Sequence, residues 1–157
     1  MNETTITAEP NTPFIDIVRE FEATPAQVFR AWTDPELVPQ WLGPESMTMD
    51  LIEYNATDGG SYHYIHRDDA GEYVFRGVFH SVVPNERIVQ TFQFDGWPAE
   101  VSLETLTLTD LGGRTRAHTH SVFLSVAARD AMIESGMERG ILDSMTRLDK
   151  ILAQASR

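Results

Sequence analysis

Apolar residues recur at two different spacings along this chain, and the change from one to the other divides it into elements. Phe14 to Phe21 is rich in β-branched and aromatic residues and predicts a strand. Thr24-Pro25-Ala26-Gln27 is then a capping box with proline at the first helical position, and Val28, Phe29 and Trp32 lie on one side of the helix it starts. Asp34-Pro35-Glu36 repeats the start signal, so a second short helix carries Leu37 and Val38; Pro39 weakens it and Gly43-Pro44 stops the segment after Trp41 and Leu42. Further strands are predicted at Met47–Glu53, Gly60–Arg67, Tyr73–Val82, Arg87–Phe94, Val101–Thr109 and Arg114–Phe123. The loops between them are short, which implies antiparallel neighbours, since parallel pairs need a crossover of a dozen residues or more. From Ser125 the spacing turns helical and runs nearly to the end, with a break at Ser135-Gly136. The order is strand, two short helices, meander, long helix, which is an α+β class with a curved antiparallel sheet of about six to seven strands.

Hairpin register predicts which side chains face inward. A turn at Pro84-Asn85 that sets Val82 opposite Arg87 also sets Phe79 opposite Gln90, so Tyr73, Phe75, Gly77 and Phe79 share a face with Ile88, Gln90, Phe92 and Phe94. The turn over Asp68 to Gly71 adds Tyr62, Tyr64 and His66 to that face. A turn over Asp110 to Gly113 sets Leu106 opposite Ala117 and Glu104 opposite Thr119, leaving Ser102, Glu104, Thr119 and Ser121 inward beside Leu106 and Leu108. In the first strand Arg19 falls among the inward Ile15, Ile17 and Phe21.

The long helix carries one apolar stripe, Ile133, Met137, Gly140, Ser144, Leu148 and Ile151. Gly140 and Ser144 stand where a helix that filled a core would place large side chains. Small residues there allow either close approach to the sheet or a void over it. The inward polar set Arg19, Tyr62, His66, Gln90 and Glu104 favours the void.

Composition narrows the classes. A formal net charge of -12 with 12 Lys+Arg offers no basic surface for phosphates, so neither nucleic acid nor an anionic membrane is an expected partner. No apolar run is long enough to span a bilayer, and the polar, acidic segment from Met1 to Pro13 reads as a loose tail rather than a secretory signal, so residues 14–157 form the expected domain and the cytoplasm the expected location. With no cysteine there is no disulfide, thiolate nucleophile or cysteine zinc site. His118 and His120 have the spacing that puts two imidazoles on one strand face, but the register turns them outward and no third ligand is evident, so no metal and no cofactor are expected. His63 and His80 also read as outward. His66 is the one inward histidine and, with Glu104, a candidate for acid–base chemistry. Arg19 and Glu104 are expected to meet as a buried pair, serving either as an anchor for a polar ligand group or as simple neutralisation.

Several stretches carry a likeness: Val28-Phe29-Arg30-Ala31-Trp32-Thr33-Asp34-Pro35-Glu36, Trp41-Leu42-Gly43-Pro44, Gly59-Gly60-Ser61-Tyr62, Phe75-Arg76-Gly77-Val78-Phe79, Gly113-Arg114-Thr115-Arg116 and Ser135-Gly136-Met137-Glu138-Arg139-Gly140. Through them the chain resembles the START-like (SRPBCC) superfamily, the helix-grip fold of the birch-pollen allergen and polyketide cyclases. Within it the likeness is to the branch of homologues of the activator of heat-shock protein 90 ATPase. The resemblance implies a cavity between sheet and helix, lined here by Trp41, Tyr62, Tyr64, Phe79, Phe92 and Met137. It transfers no catalytic motif. Three functions follow as expectations: a carrier or binder of a small apolar or amphipathic ligand, held by the residues above with Phe75, Gln90, Gly140 and Ser144; a cyclase-like or hydrolase-like enzyme; and a co-chaperone for a heat-shock protein 90 ATPase. A homodimer is compatible with each.

Overall fold

In the computed structural model, residues 3–155 are described. A single antiparallel sheet curls around the C-terminal helix, in the strand order β1-β2-β8-β7-β6-β5-β4-β3. The strands are β1 Thr5–Thr7, β2 Phe14–Phe21, β3 Thr48–Tyr54, β4 Ser61–Asp68, β5 Gly71–Val83, β6 Arg87–Phe94, β7 Val101–Asp110 and β8 Thr115–Val122. The helices are α1 Pro25–Thr33, α2 Val38–Trp41, α3 Val126–Glu134 and α4 Met137–Ala155. The α+β helix-grip expectation holds.

The strand count is eight rather than six to seven, because part of the expected tail is an edge strand: Thr5, Ile6 and Thr7 pair with Val18, Ile17 and Asp16. Arg129 of α3, buried, donates to the Glu9 and Phe14 carbonyls at 3.0 and 2.9 Å and holds the connection between β1 and β2. Met1 and Asn2 of that tail lie outside the described residues.

Local signals explain the helices. Thr24 accepts from the Gln27 amide, and the Gln27 side chain accepts from the Thr24 amide, which completes the capping box of α1. The second helix is displaced: the Asp34 side chain caps a turn by accepting from the Glu36 amide at 2.9 Å, and α2 starts only at Val38 with Pro39 in its first turn. Proline there lacks an N–H that would be unpaired anyway, so it starts α2 instead of weakening it. At Gly136, φ is +86°, and the left-handed turn separates α3 from α4. Ile133 is 40% exposed, so the buried stripe begins with α4 and not before it.

Two registers differ from expectation without changing the inner face. Across β7 and β8, Leu106 pairs with Thr119 and Glu104 with Ser121, a shift of two residues that preserves the side-chain phase. Between Phe79 and Ser81 the ladder slips, so Val83, not Val82, meets Arg87, while Phe79 still faces Gln90. The solid core lies under α1, α2 and the C-terminal part of α4, where Phe21, Val28, Trp41, Phe79, Ile88 and Leu148 are all 2% exposed or less.

Candidate functional site

The other end of the grip is hollow. A cavity of about 680 Å³ lies between the curled sheet and the N-terminal half of α4, with Trp97, Ser135 and Gly136 at its exposed rim. Its floor is aromatic. Tyr62 stacks on Tyr64 at 5.9 Å, Tyr64 on Phe75 at 5.3 Å, and Phe75 on Phe92 at 5.4 Å. Strand pairing generates this ladder, since Tyr64 is paired directly with Phe75 and Tyr62 with Gly77. A side chain at Gly77 would collide with the Tyr62 ring and the Thr91 carbonyl. Its absence lets the Tyr62 hydroxyl cross the sheet and donate to that carbonyl at 2.5 Å.

Of the expected site residues, the structure gathers Trp41, Tyr62, Tyr64, His66, Phe75, Gln90, Phe92, Glu104, Met137, Gly140 and Ser144 around this one space. Two expectations are corrected. Phe79 faces inward but is fully enclosed in the solid core, away from the cavity wall. Arg19 does not meet Glu104: its guanidinium pairs with Asp149 of α4 and donates to Thr4 at 3.0 Å. The reason is register, because Arg19 pairs with Ala117 whereas Glu104 pairs with Ser121, which is opposite Ile15. Arg19 therefore staples β2 to the helix.

Glu104 is left in the cavity wall with a hydrogen bond from Ser121 at 3.2 Å and no ion pair among the described residues. Burial pushes its carboxyl above the usual range, and the Ser121 bond offsets only part of that. The neighbouring hydroxyls of Tyr54, Tyr62 and Tyr64 are pushed up too, by burial first and by the Glu104 carboxylate as well.

His66 is 4% exposed, and its Nδ1 is buried without a hydrogen-bond partner. Burial, with the Arg147 charge, holds the imidazole below its ordinary pKa, so it is neutral at pH 7. Gly43 packs on the ring at φ +104°, where a side chain would overlap Cε1. Ser144 fixes that glycine: its Oγ accepts from the Gly43 amide at 2.7 Å and lies 2.8 Å from the Gly140 carbonyl, to which it donates. Pro44 rests over Gly140, 3.5 Å from where a Cβ would stand. The small residues of α4 therefore do both things considered for them, admitting the loop from Leu42 to Pro44 and lining the space beyond it.

Sequence reasoning missed Tyr54, Phe123, Met132 and Met145 in the lining. Tyr54 was hidden by a register slip between Leu51 and Glu53, which inverts the phase set by Met49 and Leu51. It also missed a partner on the outer face. Asp16 accepts from both His118 and His120, at 2.8 and 2.7 Å, so the expectation that no third group stood beside the two histidines is corrected. No helix among the described residues is long and apolar enough to cross a membrane.

Residues 22–153 match the family described as Activator of Hsp90 ATPase homolog 1-like protein. The human activator of 90 kDa heat shock protein ATPase homolog 1 is 28% identical over 102 residues, which are 64% of this chain but 27% of the human protein's length. A Rhodobacter sphaeroides protein of known crystal structure is similar with a TM-score of 0.88 and 26% identity, over 97% of this chain and 99% of its own. An Arthrobacter aurescens protein solved by NMR is similar with a TM-score of 0.87 and 25% identity, over 96% and 91% respectively.

Proposed function

We propose that this chain, which belongs to the Activator of Hsp90 ATPase homolog 1-like family, binds a small apolar or amphipathic molecule inside the grip. The observation that carries this reading is the cavity of about 680 Å³ whose aromatic and methionine walls converge on a few polar groups. That volume falls within the ~300–1,000 Å³ of small-molecule sites. Solvent held against such a lining finds few partners, so an apolar body gains by replacing it. The Glu104 carboxyl offers a polar partner to a ligand hydroxyl, and the bare Nδ1 of His66 offers an acceptor or donor according to its tautomer.

The test is native mass spectrometry of protein purified from its host, followed by thermal shifts across a library of lipids and aromatics. A retained ligand or a stabilising class is expected, and Thr119→Phe, which projects a ring into the space from β8, abolishes it while the variant stays folded. No retained mass and no stabilisation across the library overturns the reading.

A second reading, stimulation of a heat-shock protein 90 ATPase, is favoured by the likeness to the human activator over 27% of that protein's length. A chaperone ATPase rate unchanged by stoichiometric addition of this chain ends it.

A further inference from the structure

The outer face of the sheet holds a cluster that the cavity does not use. β2 and β8 pair so that Asp16 stands directly opposite His120, and His118 lies two residues further along the same face. Neighbours across an antiparallel pair and residues two apart on one strand are the positions from which three side chains can meet over a sheet. They do meet: Asp16 Oδ1 lies 2.8 Å from His118 Nε2 and 2.7 Å from His120 Nδ1, and the three atoms all lie within 4.8 Å of one another. The Phe14 ring, 4.9 Å from the His120 ring, limits its swing.

We infer that Asp16, His118 and His120 form a binding site for one divalent transition-metal ion of the Zn²⁺ type. Two imidazole nitrogens and one carboxylate oxygen suit borderline ions such as Zn²⁺, Ni²⁺ or Cu²⁺, and disfavour Mg²⁺ and Ca²⁺, which take oxygen ligands. Ligand atoms about 2.0–2.2 Å from a tetrahedral zinc stand roughly 3.3 Å apart. To reach that spacing the two Asp16 contacts open by about half an ångström and the two histidine nitrogens, up to 4.8 Å apart, close by up to about 1.5 Å through side-chain rotation. The three side chains are 31–45% exposed, so an ion can enter and a water can complete the coordination. Each imidazole ligates through the nitrogen that now bonds Asp16, with its proton carried on the other ring nitrogen. The scaffold is rigid, because β2 and β8 are both flanked by paired strands. The net charge of -12 adds a general attraction for cations.

The test is calorimetric titration of untagged, chelator-stripped protein with ZnCl₂, beside MgCl₂. One Zn²⁺ per chain is expected, with a rise in Tm, and no response to Mg²⁺. Asp16→Asn keeps an oxygen acceptor for the histidines but removes the charged ligand, and His118→Ala and His120→Ala each remove one nitrogen. Each weakens Zn²⁺ binding about tenfold or more, a loss of about 1.4 kcal/mol or more. His80→Ala, on an exposed histidine elsewhere, leaves it unchanged. Melting curves in chelator show whether each variant is folded, and the visible spectrum of bound Co²⁺, lost in the double histidine variant, reports the ligands directly. No heat and no Tm shift at millimolar Zn²⁺, or wild-type affinity retained in Asp16→Asn or in the double histidine variant, overturns the inference.

Discussion

The two halves of α4 face the same curled sheet and do opposite things. Its C-terminal half presents Leu148 and Leu152, both under 10% exposed, to the core of Phe21, Val28 and Phe79, and no space remains. Its N-terminal half presents Met137, Gly140, Ile141 and Ser144 to Phe75, Phe92 and Glu104 across about 680 Å³. The difference does not come from the sheet, whose inner face is aromatic in both regions. It comes from side-chain size on the helix and from α1 and α2, which fill one end only. One half supplies stability and the other is free to supply a site.

That contrast is most easily broken in the solid half. Leu148→Ala should destabilise the protein by about 2–5 kcal/mol, as for other buried leucines, measured by urea unfolding. Gly43→Ala comes next, at about 1–3 kcal/mol, because it strains a positive φ and drives a methyl into the His66 ring. Ser144→Ala strands the Gly43 amide and should cost about 1–2 kcal/mol, with hydrogen exchange rising in the loop from Leu42 to Pro44. Met137→Ala, on the hollow side, should cost less than about 1 kcal/mol and weaken ligand retention, since the side chain already borders open space.

Glu104→Gln sharpens the comparison through pH. The folded state holds the Glu104 proton more tightly than the unfolded chain does, so folding binds protons there. The wild-type protein therefore carries this contribution in full at or below the ordinary carboxylate range and loses it as pH rises through the folded pKa. Glutamine cannot ionise. The stability of the variant relative to wild type should rise with pH over that window, as read from unfolding at a series of pH values. A difference that is flat with pH would show that Glu104 is well solvated.

Most of the inner wall was legible from alternation and turn chemistry. Tyr62, Tyr64, His66, Phe75, Gln90 and Phe92 were placed by counting outward from two turns, and a two-residue register error at β7 and β8 did no harm, because side-chain phase repeats every two residues. Odd-numbered slips are the ones that hide residues. Tyr54 was lost to such a slip. Arg19 and Glu104 shared a face correctly, but a face does not say who sits beside whom along it.

The sequence by itself determined the class of fold, the inward side of most strands, the capped start of α1 and the placement of small residues on α4, because each of these follows from spacing and from local backbone preferences. Only the tertiary structure decided that Arg19 joins α4, that Ser144 holds Gly43 over His66, that Glu104 stands without a cation and that Asp16 completes the outer histidine pair. These depend on which distant segments meet at a given height along the strands. That height is set by how the sheet curls and where its bulges fall, and no local pattern carries it.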